Sequence, residues 1–158
     1  GELSMRTPKA FIMVGLQGSG KSTTAAKIAH LCGMSSSEYI SADKIREHIG
    51  YEPTVWEVHN HLVQTAVSKG YDIVVDNTNI KRKDRKNIIN LIRKYQINEY
   101  EIIAVEMMCD LEKCLERNFK RTRVVPKEAI ERYALSYTSP TLDEGFDRLV
   151  VIDNNIDD

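Results

Sequence analysis

At 158 residues, 42% of them hydrophobic, the chain suits one domain with a single well-buried core. Its net charge of −1 excludes a uniformly basic nucleic-acid coat but says nothing of local patches. No apolar run approaches a membrane span and the first residues lack the pattern of a signal peptide, so a cytoplasmic protein without membrane attachment is expected.

Gly1 to Ser4 precede Met5 and read as a remnant foreign to the domain, which otherwise fills residues 1–158. The first predicted element is a buried strand, Ala-Phe-Ile-Met-Val at 10–14. It runs into Gly15-Leu-Gln17-Gly18-Ser19-Gly20-Lys21-Ser22, whose residue types and spacing match a phosphate-binding P-loop. Thr23 to Leu31 follow, with Ala25, Ala26, Ile28 and Ala29 spaced to pack a helix. The glycines let the backbone bend so that successive N–H groups face phosphate oxygens, and the helix start adds partial positive charge there. Lys21 would reach the β- and γ-phosphates and the Ser22 hydroxyl would hold Mg²⁺, so a nucleoside triphosphate is the expected ligand.

A second strand is expected at roughly 38–41, followed by Ser41-Ala-Asp43-Lys-Ile-Arg46. Asp43 suits a helix N-cap with Arg46 on the same face, or a general base with Arg46 steadying an anionic acceptor. Val55, Val58, Leu62 and Ala66 then recur at helical spacing, and His59 and His61 lie inside that stretch, where two histidines alone make a poor metal site. The third strand, 71–76, ends in Asp76-Asn77-Thr78-Asn79. A carboxylate there suits Mg²⁺ support through a water, and the next three side chains can hydrogen-bond an acceptor or the γ-phosphate; the same four types also suit a turn. Lys81 to Lys86 carries five basic residues in six, which reads first as a solvated helix face and second as a phosphate-backbone contact.

Ile88, Ile89, Ile92 and Tyr95 give a further helix, 100–108 a fourth strand, and Leu111, Cys114 and Leu115 another helix. Arg117, Lys120, Arg121 and Arg123 cluster between that helix and one opened by Pro126, with Ile130, Tyr133, Ala134 and Tyr137 on one face. In a kinase such a segment, about 117–127, is a lid that closes over ATP and brings an arginine to the transferring group. Residues 148–152 form the fifth strand. Strands alternating with helices imply an α/β fold, a five-stranded parallel sheet covered on both faces, with ligand groups beyond the carboxyl ends of the strands. Cys32, Cys109 and Cys114 are odd in number and lack zinc or redox spacing, so reduced, buried thiols are expected.

The P-loop, Asp43-x-x-Arg46, Asp76-Asn-Thr-Asn79, Arg117-Asn-x-Lys-Arg121 and Val125-Pro126 together resemble the kinase domain of 5′-hydroxyl polynucleotide kinases. Pro140-Thr-Leu-Asp-Glu-Gly-Phe146 is similar to the matching segment of eukaryotic polynucleotide kinase/phosphatases, and the matches run in order from about residue 10 to 152. The resemblance implies an adenylate-kinase-like P-loop fold with a short basic lid, ATP and Mg²⁺ as cofactors, and a nucleic-acid 5′ end as partner. Lys21, Asp43 and Arg121 would be catalytic, with Asp43 the base at the 5′-hydroxyl and Arg121 the lid arginine. Gly15, Gln17, Gly18, Ser19, Gly20, Ser22, Thr23 and Arg117 would bind nucleotide, with the adenine between Arg117 and Asp153–Asn155. Arg46, Asn77, Thr78 and Asn79 would face the acceptor, and Ser22 and Asp76 the metal. Some of these kinases have Ser-Asp-Thr-Asn where this chain has Asp76-Asn-Thr-Asn79, a shift of the carboxylate by one position. A small-molecule acceptor is the alternative, and a nucleotide-operated switch a third reading, although no guanine-reading Asn-Lys-x-Asp is present.

Overall fold

The computed structural model describes residues 6–35, 38–122 and 124–156. In chain order its elements are β1 (Lys9–Val14), α1 (Lys21–Leu31), β2 (Tyr39–Ile40), α2 (Ala42–Arg46), α3 (Glu52–Ser68), β3 (Ile73–Val75), α4 (Arg82–Tyr95), β4 (Glu101–Met108), α5 (Leu111–Phe119), α6 (Lys127–Leu135), a 3₁₀ turn at Leu142–Glu144, and β5 (Arg148–Asp153). The five strands are all parallel in the order β2-β3-β1-β4-β5. β1 is central, and the chain moves to one side of it for β2 and β3 and to the other for β4 and β5. That reversal opens a crevice beyond the carboxyl ends of β1 and its neighbours, where open α/β sheets take ligands.

The two sheet faces bury different residues because strand side chains alternate. One face sets Ile12, Ile73, Val75, Ile102 and Ala104 against Val63 and Val67 of α3 and Ile88 and Ile92 of α4. The other sets Met13, Val74, Ile103, Val105 and Met107 against Ala25 of α1. A third, smaller cluster of Leu16, Ile80 and Cys114, with Ala134 and Tyr137 against it, lies beneath the P-loop.

The expected strands at 38–41 and 71–76 are shorter, because their ends are used as caps and tethers. Ser41 caps α2, its Oγ accepting from Lys44 N at 3.4 Å, so Asp43 is not the cap but a residue of the first helical turn. Asp72 accepts from Lys9 N and from Arg6, both at 2.8 Å, and fixes the start of β1. Pro126 likewise precedes α6 rather than forming its first turn, and Tyr137 lies beyond that helix's end. Among the cysteines only Cys114 is buried; Cys32 is exposed and Cys109 half-buried, which corrects the expectation of three buried thiols. Gly1–Ser4 and Arg123 lie outside the described residues.

Candidate active site

The P-loop is built as its sequence demands. Gly18 and Gly20 adopt φ of 85° and 89°, and a Cβ on Gly18 would stand 2.2 Å from the Cys114 carbonyl oxygen. Gly15 N–H donates to Thr78 O at 2.9 Å, which ties the loop to the segment after β3. From the other side the Asn154 amide donates to Ser19 O at 2.8 Å. Among the described residues no side chain caps α1 at Gly20, which leaves the start of the helix to an anion. Gln17 Oε1 and Ser19 Oγ are buried without a hydrogen-bond partner among the described residues, as befits a loop shaped around a polar ligand.

Lys21 turns to Asp76, Nζ to Oδ1 at 2.8 Å, with side chains 11% and 2% exposed. The Tyr39 hydroxyl donates to the other oxygen of the same carboxylate. Burial pushes the Asp76 pKa up, but the Lys21 charge and hydrogen bonds from Lys21, Tyr39 and Ser22 outweigh it and hold the group below the usual range. Burial, and then the Asp76 charge, drive the Tyr39 hydroxyl well above its ordinary value, so it stays a donor. An ionised, buried carboxylate beside Ser22 is a donor set that fits a hard cation such as Mg²⁺. Tyr39 was not legible as a site residue; its place at the sheet edge next to β3 is its only signal.

Asp43 and Arg46 do stand together, with Arg46 donating to Asp43 at 2.6 Å and their side chains 62% and 29% exposed. Arg46 is also gripped by Glu52 from α3, through Nε at 2.9 Å and Nη2 at 2.5 Å. The Trp56 indole donates to Glu52 at 3.1 Å and lies under the Arg46 guanidinium, 5.7 Å to the ring centroid. Asn77 and Asn79 turn inward. Asn77 Oδ1 accepts from Ala42 N at 2.9 Å and its Nδ2 meets His59 Nε2 at 2.8 Å. Asn79, in the left-handed region with φ of 46°, donates to Met13 O at 2.9 Å. Thr78 O serves the P-loop.

The basic run 81–86 is not uniformly a solvated face. Lys81, Arg82, Lys83 and Lys86 are exposed, whereas Arg85 is fully buried. Its Nε donates to Glu144 at 2.7 Å and its Nη1 to the carbonyls of Asn79 and Thr138, each at 2.9 Å. The signal lay in the spacing, since 85 continues the 88, 89, 92 stripe of α4. Glu106 on β4 was also missed; it is buried and accepts from Tyr137 at 2.6 Å and Ser139 at 2.7 Å.

Arg117 reaches back to the end of β5, donating to Ile156 O at 2.8 Å, while Asn155 Oδ1 accepts from Asp110 N at 2.7 Å. Arg117 and the 153–155 loop are therefore neighbours. Asn118 holds Val125, donating to its carbonyl oxygen at 2.7 Å and accepting from its N–H at 3.1 Å. Arg121, just beyond α5, is exposed, and its side chain makes no hydrogen bond or ion pair among the described residues.

A family model described as AAA domain (AAA_33) matches residues 11–140. An L-seryl-tRNA(Sec) kinase of Methanococcus maripaludis is 24% identical over 136 residues, 82% of this chain and 52% of the relative, so the chain spans about half that protein's length. A candidate kinase from Chloroflexus aurantiacus J-10-fl superposes with a TM-score of 0.74 at 16% identity, covering 94% of this chain and 86% of its own. A chain of the Pnkp1/Rnl/Hen1 RNA repair complex gives 0.67 at 21% identity over 83% of this chain and 44% of its own. A gluconokinase from Sinorhizobium meliloti 1021 gives 0.62 at 19%, over 94% and 84%. Among the described residues no helix is long and apolar enough to cross a membrane. With its phosphate loop, all-parallel sheet and switch-point crevice, the chain belongs to the AAA_33 family and has the P-loop kinase fold.

Proposed function

We propose that this chain is an ATP- and Mg²⁺-dependent phosphotransferase acting on an acceptor hydroxyl, with the 5′-hydroxyl of a polynucleotide as the acceptor that its residues fit best. The observation that carries this reading is the adjacency of Asp76 and Asn77. Asp76 is paired with Lys21 of the P-loop, and Asn77 holds the first turn of α2, which bears Asp43 and Arg46. Donor and acceptor groups hang from two consecutive residues at one strand end.

ATP lies along Gly15–Thr23, where Lys21 exchanges Asp76 for phosphate oxygens. Ser22 and, through water, Asp76 would hold Mg²⁺, which supplies charge neutralisation on those oxygens. The acceptor oxygen attacks the γ-phosphorus in line, its proton passes to Asp43, and the bond to the β–γ bridging oxygen breaks to release ADP. Arg46 and Thr78 face the acceptor, Arg117 lies on the adenine side with the 153–155 loop, and Arg121 meets the transferring group when its loop closes. Asn77 and Asn79 shape this side from behind. The use of ATP implies an intracellular site of action.

Transfer of labelled γ-phosphate to 5′-hydroxyl RNA and DNA oligonucleotides, lost in Asp43→Ala, tests the reading; intact ATP binding without transfer to either overturns the polynucleotide acceptor. A small-molecule hydroxyl is the second reading, favoured by one observation: Glu52 already occupies Arg46, so an uncharged acceptor need not displace it. Strongly salt-dependent acceptor binding separates the two.

A further inference from the structure

We propose that His59 is a positioning residue for the acceptor pair, acting as a neutral imidazole through Asn77 on the first turn of α2. The inference rests on the function proposed for Asp43 and Arg46. His59 is fully buried on α3 and reaches no candidate substrate position itself.

The direction of each hydrogen bond follows from one group whose role is fixed. Ala42 N–H is a donor, so the Asn77 atom facing it at 2.9 Å is the amide oxygen. The amide nitrogen of Asn77 therefore faces His59 and donates, which makes Nε2, 2.8 Å away, an unprotonated acceptor. The ring proton then sits on Nδ1, which donates to Asn60 Oδ1 at 3.1 Å. Burial depresses the His59 pKa, a depression that the Asn60 bond opposes and the nearby Arg46 charge reinforces.

A relay of three bonds thus runs from α3 to the amide of the residue before Asp43. α2 needs such an anchor. It has five residues, too few to hold its own shape, and its Ser41 cap bond is long at 3.4 Å. Without an acceptor at the Nε2 position, Asn77 loses its fixed orientation and a buried amide loses its partner. The same helix face carries Trp56, 5.0 Å from the His59 ring centroid, and Glu52, which fixes Arg46. α3 accordingly holds α2 at both ends.

His59→Gln and His59→Asn test this, because both are neutral amides and differ by one methylene. The Gln oxygen stands in for Nε2; the Asn side chain is too short to reach Asn77. Amide hydrogen exchange at Ala42 should quicken about tenfold in His59→Asn and stay near wild type in His59→Gln, a readout that needs no substrate. Transfer kcat should fall about 10- to 100-fold in His59→Asn, with nucleotide Kd unchanged and Gln restoring the rate. Unchanged Ala42 exchange in His59→Asn overturns the relay, as does equal loss of rate in both folded variants. A wild-type protein that transfers to no acceptor while Ala42 exchange responds as stated overturns the function reading and, with it, the role in transfer. Should His59→Asn fail to fold, Asn77→Asp keeps an oxygen for Ala42 N–H and sets a second oxygen against Nε2, so the imidazole should take up a proton at Nε2, read by nitrogen NMR; a ring that stays unprotonated there overturns the relay.

Discussion

Arg85→Met gives the sharpest test of how the site-bearing loops are held. The guanidinium side chain is 0% exposed and its partner Glu144 1%. Among the described residues it alone donates by side chain to the carbonyls of Asn79 and Thr138, one on the segment after β3 and one on the segment after α6. Methionine matches the stem and removes the charge, so the cost is mostly electrostatic. Among the described residues Glu144 then keeps only Thr141, through the N–H at 2.7 Å and the hydroxyl at 3.3 Å. Breaking one partner of a buried pair typically costs about 3–5 kcal/mol, against a total stability of about 5–15 kcal/mol. With a urea m-value of about 2 kcal/mol/M the midpoint should fall by about 2 M. The double variant Arg85→Met/Glu144→Met removes both charges and should recover a large part of that loss. Equilibrium urea unfolding of the four proteins, without nucleotide, measures the coupling. A single-variant loss under about 1 kcal/mol, or additive losses in the double variant, refutes the reasoning.

Gly18→Ala forces a Cβ against the Cys114 carbonyl in a left-handed backbone conformation, and should abolish ATP binding by calorimetry while the far-ultraviolet spectrum stays near wild type. Asp43→Asn should lower kcat about 10²- to 10⁴-fold with nucleotide Kd unchanged, measured by single-turnover transfer. Stability should decline as pH falls below about 4.3, because the unfolded chain protonates Glu144 before the folded one does. In the folded state burial raises that carboxyl's pKa, but Arg85 and Thr141 hold it below its usual value. Glu144→Gln should flatten the acid limb of the urea midpoint against pH.

The sheet was legible because β1, β3 and β4 are short apolar runs between helical patterns, and the P-loop because its glycines have no substitute at φ of 85° and 89°. Asp43 and Arg46 were legible as a pair from their spacing of three. What sequence spacing hid was most of the side-chain contacts made across the fold; the nearness of Arg117 to the 153–155 loop is an exception. Asn77 and Asn79 look alike as hydrogen-bonding loop residues, yet one serves α2 and the other β1, which only tertiary placement decides. Arg85 sits in a basic run whose other members face water, and its stripe position was masked by its charge. Tyr39 and Glu106 bond to partners 37 and 31 residues away, beyond the reach of any local pattern.

The Asn154 bond to Ser19 bears on how the domain comes to exist on the ribosome. The two residues are 135 apart, so the phosphate loop is made long before the amide that closes over it. At about 5–20 residues per second that interval is roughly 7–27 s. Over the same interval β1 waits first for β3 and then for β4, its registers being Ala10 with Ile73 and Lys9 with Glu101. A nascent chain stalled before β5 therefore carries the whole glycine motif without a finished loop. ATP capture should switch on late in translation, when the last strand docks.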